Sequence, residues 1–140
     1  MPDSADSSAP AEATDPHVVL VGHCSFDSGS LKAAAARALP DAPVVRVNTE
    51  AELRPYANAR HLLLVNRQLD GLFEVSTGPE LIERLKFDGR SPKMLLISDI
   101  GSAQEAAEAA GAEPGFGKKD VQSDKATDRI RAAFPGGGAD

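Results

Sequence analysis

Four short and almost uninterrupted apolar runs divide the chain at nearly regular intervals. They read VVLV at residues 18–21, VVRV at 44–47, LLLV at 62–65 and MLLI at 94–97. Runs this short and this apolar are typical of strands buried on both faces of a parallel sheet. The third run stops abruptly at the polar sequence NRQ, which predicts that its end emerges at a sheet edge. GFG at residues 115–117 predicts a weak fifth strand.

Each run is followed by a polar or glycine-containing turn and then by a helical pattern. Capping boxes indicate three helix starts, at Thr49 with Glu52, Thr77 with Glu80 and Ser102 with Glu105. The predicted helices cover residues 31–39, 49–57, 77–86, 102–111 and 121–134. Strands that alternate with helices at this spacing predict a (βα)5 chain, which is a three-layer α/β/α domain with a five-stranded parallel sheet.

The boundaries of three of these helices follow from single residues. Ser28 or Ser30 is expected to cap the first helix, whose apolar face contains Leu31. Gly111 is expected to end the fourth helix in a left-handed conformation. In the fifth helix, Ile130 and Phe134 are expected to point inward.

Composition divides the chain into one domain and two ends. Residues 1–15 are acidic and polar with no large apolar residue after Met1, so we expect a disordered tail. Residues 16–134 form the predicted domain, and residues 135–140 are expected to be a second disordered end. The amino terminus has neither the basic start nor the apolar core of a signal peptide.

Charge and cysteine content exclude several functions. With 15 basic and 21 acidic residues the net charge is -6, which argues against binding to nucleic acid or to an anionic membrane. No apolar stretch approaches the length that crosses a membrane. The single cysteine, Cys24, excludes an internal disulfide and fits a reducing cytoplasm.

Ligands of parallel sheets bind at the carboxyl ends of the strands, so the residues that follow each run are the candidate site. They are His23, Cys24, Asp27, Asn48, Asn66, Asp70, Ser98, Asp99 and Lys118.

The second half of the chain contains the stretches LLLVNRQLDG, MLLISDIGS and AAEAAGAEPGFGKKD, and then a predicted final helix. With these stretches the chain resembles the receiver domain of bacterial response regulators over residues 18–134. Receivers have Ser or Thr after the fourth strand, an Ala-Gly-Ala turn after the fourth helix and Lys after the fifth strand. Here Ser98, the turn at residues 109–112 and Lys118 match. The resemblance implies a flavodoxin-like fold and a role in two-component signal transduction, with Ser98 and Lys118 as switch or anion contacts.

The departures from this resemblance concern its chemistry. Receivers place a Mg²⁺-binding acidic pair after the first strand, where this chain has His23 and Cys24, and a phosphoacceptor aspartate after the third, where it has Asn66. Lys119 stands where the family usually has proline. Without a carboxylate nucleophile or hard oxygen ligands, phosphoryl transfer is not expected.

The sequence therefore predicts a degenerate receiver, or pseudo-receiver. We expect no catalytic residue, no metal and no cofactor. Output is expected through docking to another signalling protein (a kinase, an effector or a regulator), on the face that the resemblance assigns to the fourth helix, fifth strand and fifth helix. Homodimer formation stays open.

Each candidate residue also has a simpler interpretation. Asn66 is more typical of a turn side chain that hydrogen-bonds local backbone than of a ligand-binding group. Ser98 is equally well a loop hydroxyl, and Lys118 a surface cation. Asp70 and Asp99 could rebuild a carboxylate site from other positions.

The stretch CSFDSGSL at residues 24–31 supports an alternative, because it resembles the phosphate loop of sugar phosphotransferase-system IIB components, in which a cysteine is phosphorylated. A helix amino terminus lowers a thiol pKa and binds anions. Against this, Asp27 would repel phosphate, and without a loop arginine a tyrosine phosphatase is less favoured still. A buried, inert Cys24 is the competing interpretation.

Two further alternatives remain. His23, Cys24 and Asp27 are zinc-type donors. His61, a fourth candidate, should lie at the opposite end of the sheet, and three donors on one loop are a weak signal. A small-molecule binding module that uses the same cleft is also open.

Overall fold

The computed structural model describes residues 15–87 and 91–135. Its five strands are β1 (Val18–Val21), β2 (Val44–Val47), β3 (Leu62–Asn66), β4 (Lys93–Ile97) and β5 (Glu113–Phe116). Its helices are α1 (Ser25–Ala38), α2 (Glu50–Leu53), α3 (Gly78–Phe87), α4 (Gly101–Ala110) and α5 (Asp124–Ala133), with 3-10 turns at Arg54–Tyr56 and Lys118–Asp120.

All five strands pair in parallel, in the order β2-β1-β3-β4-β5. Strands β1 and β3 lie in register from Val18 opposite Leu62, and the β4–β5 pair has an irregularity between Leu95 and Ile97. The predicted (βα)5 order and parallel sheet are confirmed. Because the strands are parallel, the polar residues that follow the apolar runs meet at one edge of the sheet.

Helices cover both faces of the sheet. On one face α1 and α5 bury Leu31 and Ile130 against β1, β3 and β4, and Phe134 closes this layer. On the other face, α2, α3 and α4 pack against Val19, Val65 and the remaining strand side chains. Alternate residues of the central strands therefore enter different cores, which explains why those runs are apolar at every position, whereas β2, at the edge of the sheet, exposes Arg46.

The predicted start of α1 is wrong. The helix begins at Ser25 rather than Leu31, and Cys24 caps it instead of Ser28 or Ser30, since the thiol sulfur accepts a hydrogen bond from the Asp27 N–H at 3.4 Å. Ser28 instead lies on the buried face of the helix, next to the core that Leu31 enters. The cap at Cys24 and the burial of Ser28 accompany this earlier start, although Ser25 and Phe26 in the added turn are exposed.

The other helix starts have mixed outcomes. Thr49 and Thr77 cap α2 and α3 as predicted, by accepting the N–H groups of Glu52 (3.0 Å) and Glu80 (3.4 Å). The predicted Ser102 box is wrong, because α4 begins at Gly101 with Ile100 as the capping residue and no capping side chain in the described residues.

At the helix ends, Gly111 is left-handed at φ 118°, as predicted. The start of α5 shifts to Asp124, because the 3-10 turn Lys118–Asp120 takes up the preceding chain. The fifth strand also lies earlier than predicted and ends at Phe116. Lys118 therefore lies in the turn after β5.

Most of the predicted tail, residues 1–14, and most of the predicted carboxyl end, residues 136–140, lie outside the described residues. Among the described helices, none has the length and apolar character needed to span a membrane.

Candidate functional site

A polar cleft of about 340 Å³ opens at the carboxyl edge of the sheet, between the loops that follow β3, β4 and β5. It brings together four of the predicted site residues, namely Asn66, Ser98, Asp99 and Lys118. It is also lined by Arg67, Gln68, Ile97 and Ile100. The convergence follows from the parallel order of the strands, because loops that are distant in sequence leave the sheet side by side.

Asn66 ends β3, and its side chain joins two loops. Its amide Nδ2 donates to the Gly22 carbonyl at 2.9 Å, and its Oδ1 accepts from the Arg67 N–H at 3.0 Å. These contacts match the turn-forming interpretation. A carboxylate could accept from Arg67 but could not donate to Gly22, so this position uses the amide specifically.

The loop after β3 folds back over the ends of β1 and β2. Asn48 Nδ2 donates to the backbone carbonyls of His23 (3.1 Å) and Asp70 (2.6 Å), and the Asp70 N–H donates to the Gly22 carbonyl at 2.9 Å. Asp70 takes part through its backbone, and its residue is exposed away from the cleft lining. The structure therefore does not bring Asp70 together with Asp99.

His23 is fully buried beneath this edge. Its Nε2 lies 2.9 Å from the Leu64 carbonyl, which requires that nitrogen to donate. Burial lowers the pKa of His23 to about 4, with smaller contributions from Lys118 and Arg46 in the same direction. The ring is thus neutral near pH 7, and its Nδ1 has no partner in the described part of the chain.

Cys24 is exposed, so the interpretation of a buried thiol is wrong. Its sulfur already accepts the Asp27 N–H in the first turn of α1. The Asp27 carboxylate follows in that same turn and would oppose a phosphoryl group there. The local charge thus does not favour the alternative of phosphotransfer through Cys24.

Lys118 makes the closest charged contact of the site. Its Nζ donates to Asp27 Oδ2 at 2.7 Å, across 91 residues of sequence. The hydrogen bond from Lys118 is the largest cause that lowers the pKa of Asp27. Because Lys118 lines the cleft, this ion pair places the Asp27 carboxylate beside the cleft as well.

Ser98 and Asp99 shape the loop after β4. The Ser98 hydroxyl oxygen accepts from the Ile100 N–H at 3.0 Å, and the residue is only 6% exposed. Asp99 Oδ1 accepts from the Lys119 N–H at 3.2 Å, which ties this loop to the turn after β5. Both side chains therefore form hydrogen bonds that hold these loops together. The sequence had left open whether the Ser98 hydroxyl has such a role or contacts an anion.

The sequence did not mark several polar residues at this edge of the sheet as site candidates. Arg67 and Gln68 line the cleft, and their position directly after Asn66 was the available signal. Gln104 lies on α4, and its Nε2 donates to the carbonyls of Leu96 (2.9 Å) and Ser98 (3.0 Å). A helix residue that bonds to strand ends has no marker in the sequence pattern.

The residues at the expected metal positions do not fit Mg²⁺. The cation prefers hard oxygen ligands, whereas His23 presents a buried ring, Cys24 a thiol and Asn66 an amide oxygen occupied by the Arg67 N–H. Within the described residues, no group of three or more His, Cys, Asp or Glu side chains is placed to bind a metal. His61 lies at the opposite edge, as predicted, where its Nδ1 accepts from the His17 N–H at 3.0 Å.

No family model matches the sequence, and no curated protein matches it. Solved structures do. A response regulator receiver domain from Rhodospirillum rubrum aligns with a TM-score of 0.55 and 15% identity, over 83% of this chain and 89% of that one. This chain has a receiver-type fold. The signal receiver domain of the DNA-binding response regulator merR from Colwellia psychrerythraea gives 0.55 and 13%, over 76% and 87%.

A third receiver-type structure is informative for its contents. A response regulator protein from Burkholderia pseudomallei aligns with a TM-score of 0.57 and 17% identity, over 88% of this chain and 68% of that one. That structure contains a phosphorylated aspartic acid and a calcium ion. At these identities the likeness establishes the receiver fold, and the chemistry of the present site rests on its own residues.

Proposed function

We propose that this receiver-fold domain is a signalling and protein-interaction module that docks to a partner without being phosphorylated. The observation that supports it best is the hydrogen bonding of Asn66, at the position where the resemblance places a phosphoacceptor aspartate. Its Nδ2 donates to Gly22 and its Oδ1 accepts from Arg67. A neutral amide with both ends bonded to backbone is a poor nucleophile for phosphoryl transfer.

The metal positions support the same proposal. Phosphoryl transfer to a receiver needs a divalent cation that neutralises the phosphoryl oxygens. His23 is neutral and buried, and Cys24 caps α1 through its sulfur. The Burkholderia pseudomallei response regulator contains a phosphorylated aspartic acid and a calcium ion, and we propose that this chain lost both functions together.

We propose docking on the face of α4, β5 and α5. The fifth strand is an edge strand of the sheet, paired with β4 alone. Next to it α4 exposes small and acidic residues, including Glu105, Ala106 and Ala109. Small side chains let a partner approach the helix backbone closely. The partner is proposed to be a kinase, effector or regulator, and the protein to be a cytoplasmic non-enzyme.

The proposal is tested by intact-protein mass measurement after incubation with acetyl phosphate and Mg²⁺. We expect no added phosphoryl group on the wild type. We expect none on Asn66→Asp either, because this substitution restores the nucleophile without the metal ligands. A conventional receiver domain treated in parallel is the positive control.

A phosphoryl group on the wild type would contradict the proposal. Cys24→Ser then separates the two routes, since loss of the added mass would identify the thiol as the acceptor and its persistence would place the phosphoryl group on another side chain.

A further inference from the structure

The Asp27–Lys118 ion pair joins two loops that flank the cleft. Asp27 lies in the first turn of α1, and Lys118 begins the 3-10 turn after β5. The side chains are 25% and 44% exposed, and their charged atoms are 2.7 Å apart. Because Lys118 also lines the cleft, the pair places a negative charge directly beside it.

The cleft itself has the donors that an oxyanion requires. Arg67 lines it, and in the described part of the chain its guanidinium has no ion-pair partner. The Ser98 hydroxyl accepts from the Ile100 N–H, which leaves its O–H able to donate. With Lys118 this makes two cations and one hydroxyl. Among the described residues of the lining Asp99 is the one carboxylate, and it bonds to the Lys119 N–H. Arginine, lysine and hydroxyl donors together suit a carboxylate, sulfate or phosphate group.

We propose that Asp27 is a built-in counter-ion that occupies Lys118 in place of an external oxyanion and thereby keeps the cleft closed to phosphate. An incoming anion must displace a carboxylate that is attached to the same chain, and it also meets the charge of that carboxylate. This inference rests on the proposed function and adds a reason why the cleft does not take up phosphate.

The ion pair has a consequence for the docking face. It connects the turn after β5 to α1, and α5 begins at Asp124, with three residues between it and that turn. The position of this turn is therefore set by a contact within the chain and needs no ligand. The pair favours one position of this turn, and so one arrangement of the face of α4, β5 and α5, without an anion to select it.

The test is a titration with inorganic phosphate at constant ionic strength, followed by amide NMR. Asp27→Asn frees Lys118, and we expect phosphate to bind it about two- to fivefold more tightly than the wild type, the effect expected of a partly exposed ion pair. The shifts should cluster at Arg67, Ser98 and Lys118. Adding Lys118→Met to Asp27→Asn should remove the gain.

Asp70→Asn is the matched control, because it removes an exposed carboxylate from the same edge without breaking this pair. An equal gain in Asp70→Asn, or none in Asp27→Asn, would overturn the proposal. Asp27→Ser gives a second test that does not depend on the folding of Asp27→Asn, because it also removes the carboxylate that pairs with Lys118. It should show the same gain in phosphate affinity, and a wild-type affinity in both variants would overturn the proposal.

These outcomes are separate from those of the proposed function. An unchanged affinity in Asp27→Asn together with an unphosphorylated wild type removes the counter-ion role and leaves phosphorylation-independent docking intact. A phosphorylated wild type contradicts the proposed function whatever the titration gives.

Discussion

Substitution of His23 by glutamine is expected to reduce the loss of unfolding free energy that the protein shows as the pH falls from 7 to 4. The folded pKa of His23 is about 4, against an ordinary value of 6.5. Between these values the unfolded chain binds a proton that the folded chain does not, so the free energy of unfolding falls as the pH decreases. A difference of this size corresponds to about 3 kcal/mol between pH 6.5 and pH 4. Below pH 4 both states are protonated and His23 adds no further loss.

The measurement is urea unfolding of wild type and His23→Gln from pH 7 to pH 4. Glutamine can keep an N–H donor toward the Leu64 carbonyl and does not titrate in this range. The difference between the two profiles should therefore grow in favour of the variant as the pH falls. His17→Gln is the control, because His17 lies at the opposite edge and outside the buried core. A variant that keeps the full acid sensitivity of the wild type would contradict the burial argument.

Gly71→Ala is expected to lose about 3 kcal/mol of unfolding free energy or more. Gly71 has φ 120°, a conformation that other residues rarely adopt, and a Cβ there would lie 2.0 Å from the Asn48 carbonyl oxygen. That oxygen accepts the Leu72 N–H at 2.8 Å. The added methyl must therefore displace the loop that covers the ends of β1 and β2.

Gly29→Ala is the matched control for this substitution. Gly29 lies inside α1, and no described atom is within 4 Å of the position of its Cβ. Alanine in the middle of a helix should stabilise the protein by about 0.5–1 kcal/mol. Urea unfolding of both variants should give changes of opposite sign. A Gly71→Ala protein as stable as the wild type would show that the loop does not have the conformation described.

The topology could be predicted from sequence because a strand that is buried on both faces of the sheet appears as a short, continuous apolar run. Leu62–Asn66 illustrates this, since its four buried residues and polar end specify both a central strand and the edge at which it emerges. Helix starts were less predictable. Cys24 caps α1 with a thiol and Ile100 precedes α4 without a capping side chain, so neither start has the usual Ser, Thr, Asp or Asn.

The convergence of Asn66, Ser98 and Lys118 was predictable in the same way, from the parallel order of the strands. Their partners were not. The bond from Asn66 to Gly22 depends on the side-chain torsion angles of Asn66, and the Asp27–Lys118 pair joins residues 91 positions apart. That pair also requires α1 to begin six residues earlier than its sequence suggests. Interactions of this kind follow from tertiary packing, which a pattern along the chain does not contain.

We propose that the receiver fold persists here without receiver chemistry, and an amide NMR titration of the labelled protein with Mg²⁺ and then with beryllofluoride tests this. Beryllofluoride mimics a phosphoryl group only where a carboxylate and a metal can bind it. We predict no saturable shift at Asn66, Ser98 or Lys118, because the first is an amide bonded to backbone and the last is paired with Asp27. Saturable shifts clustered at these three residues would contradict the claim and show that a phosphoryl site survives.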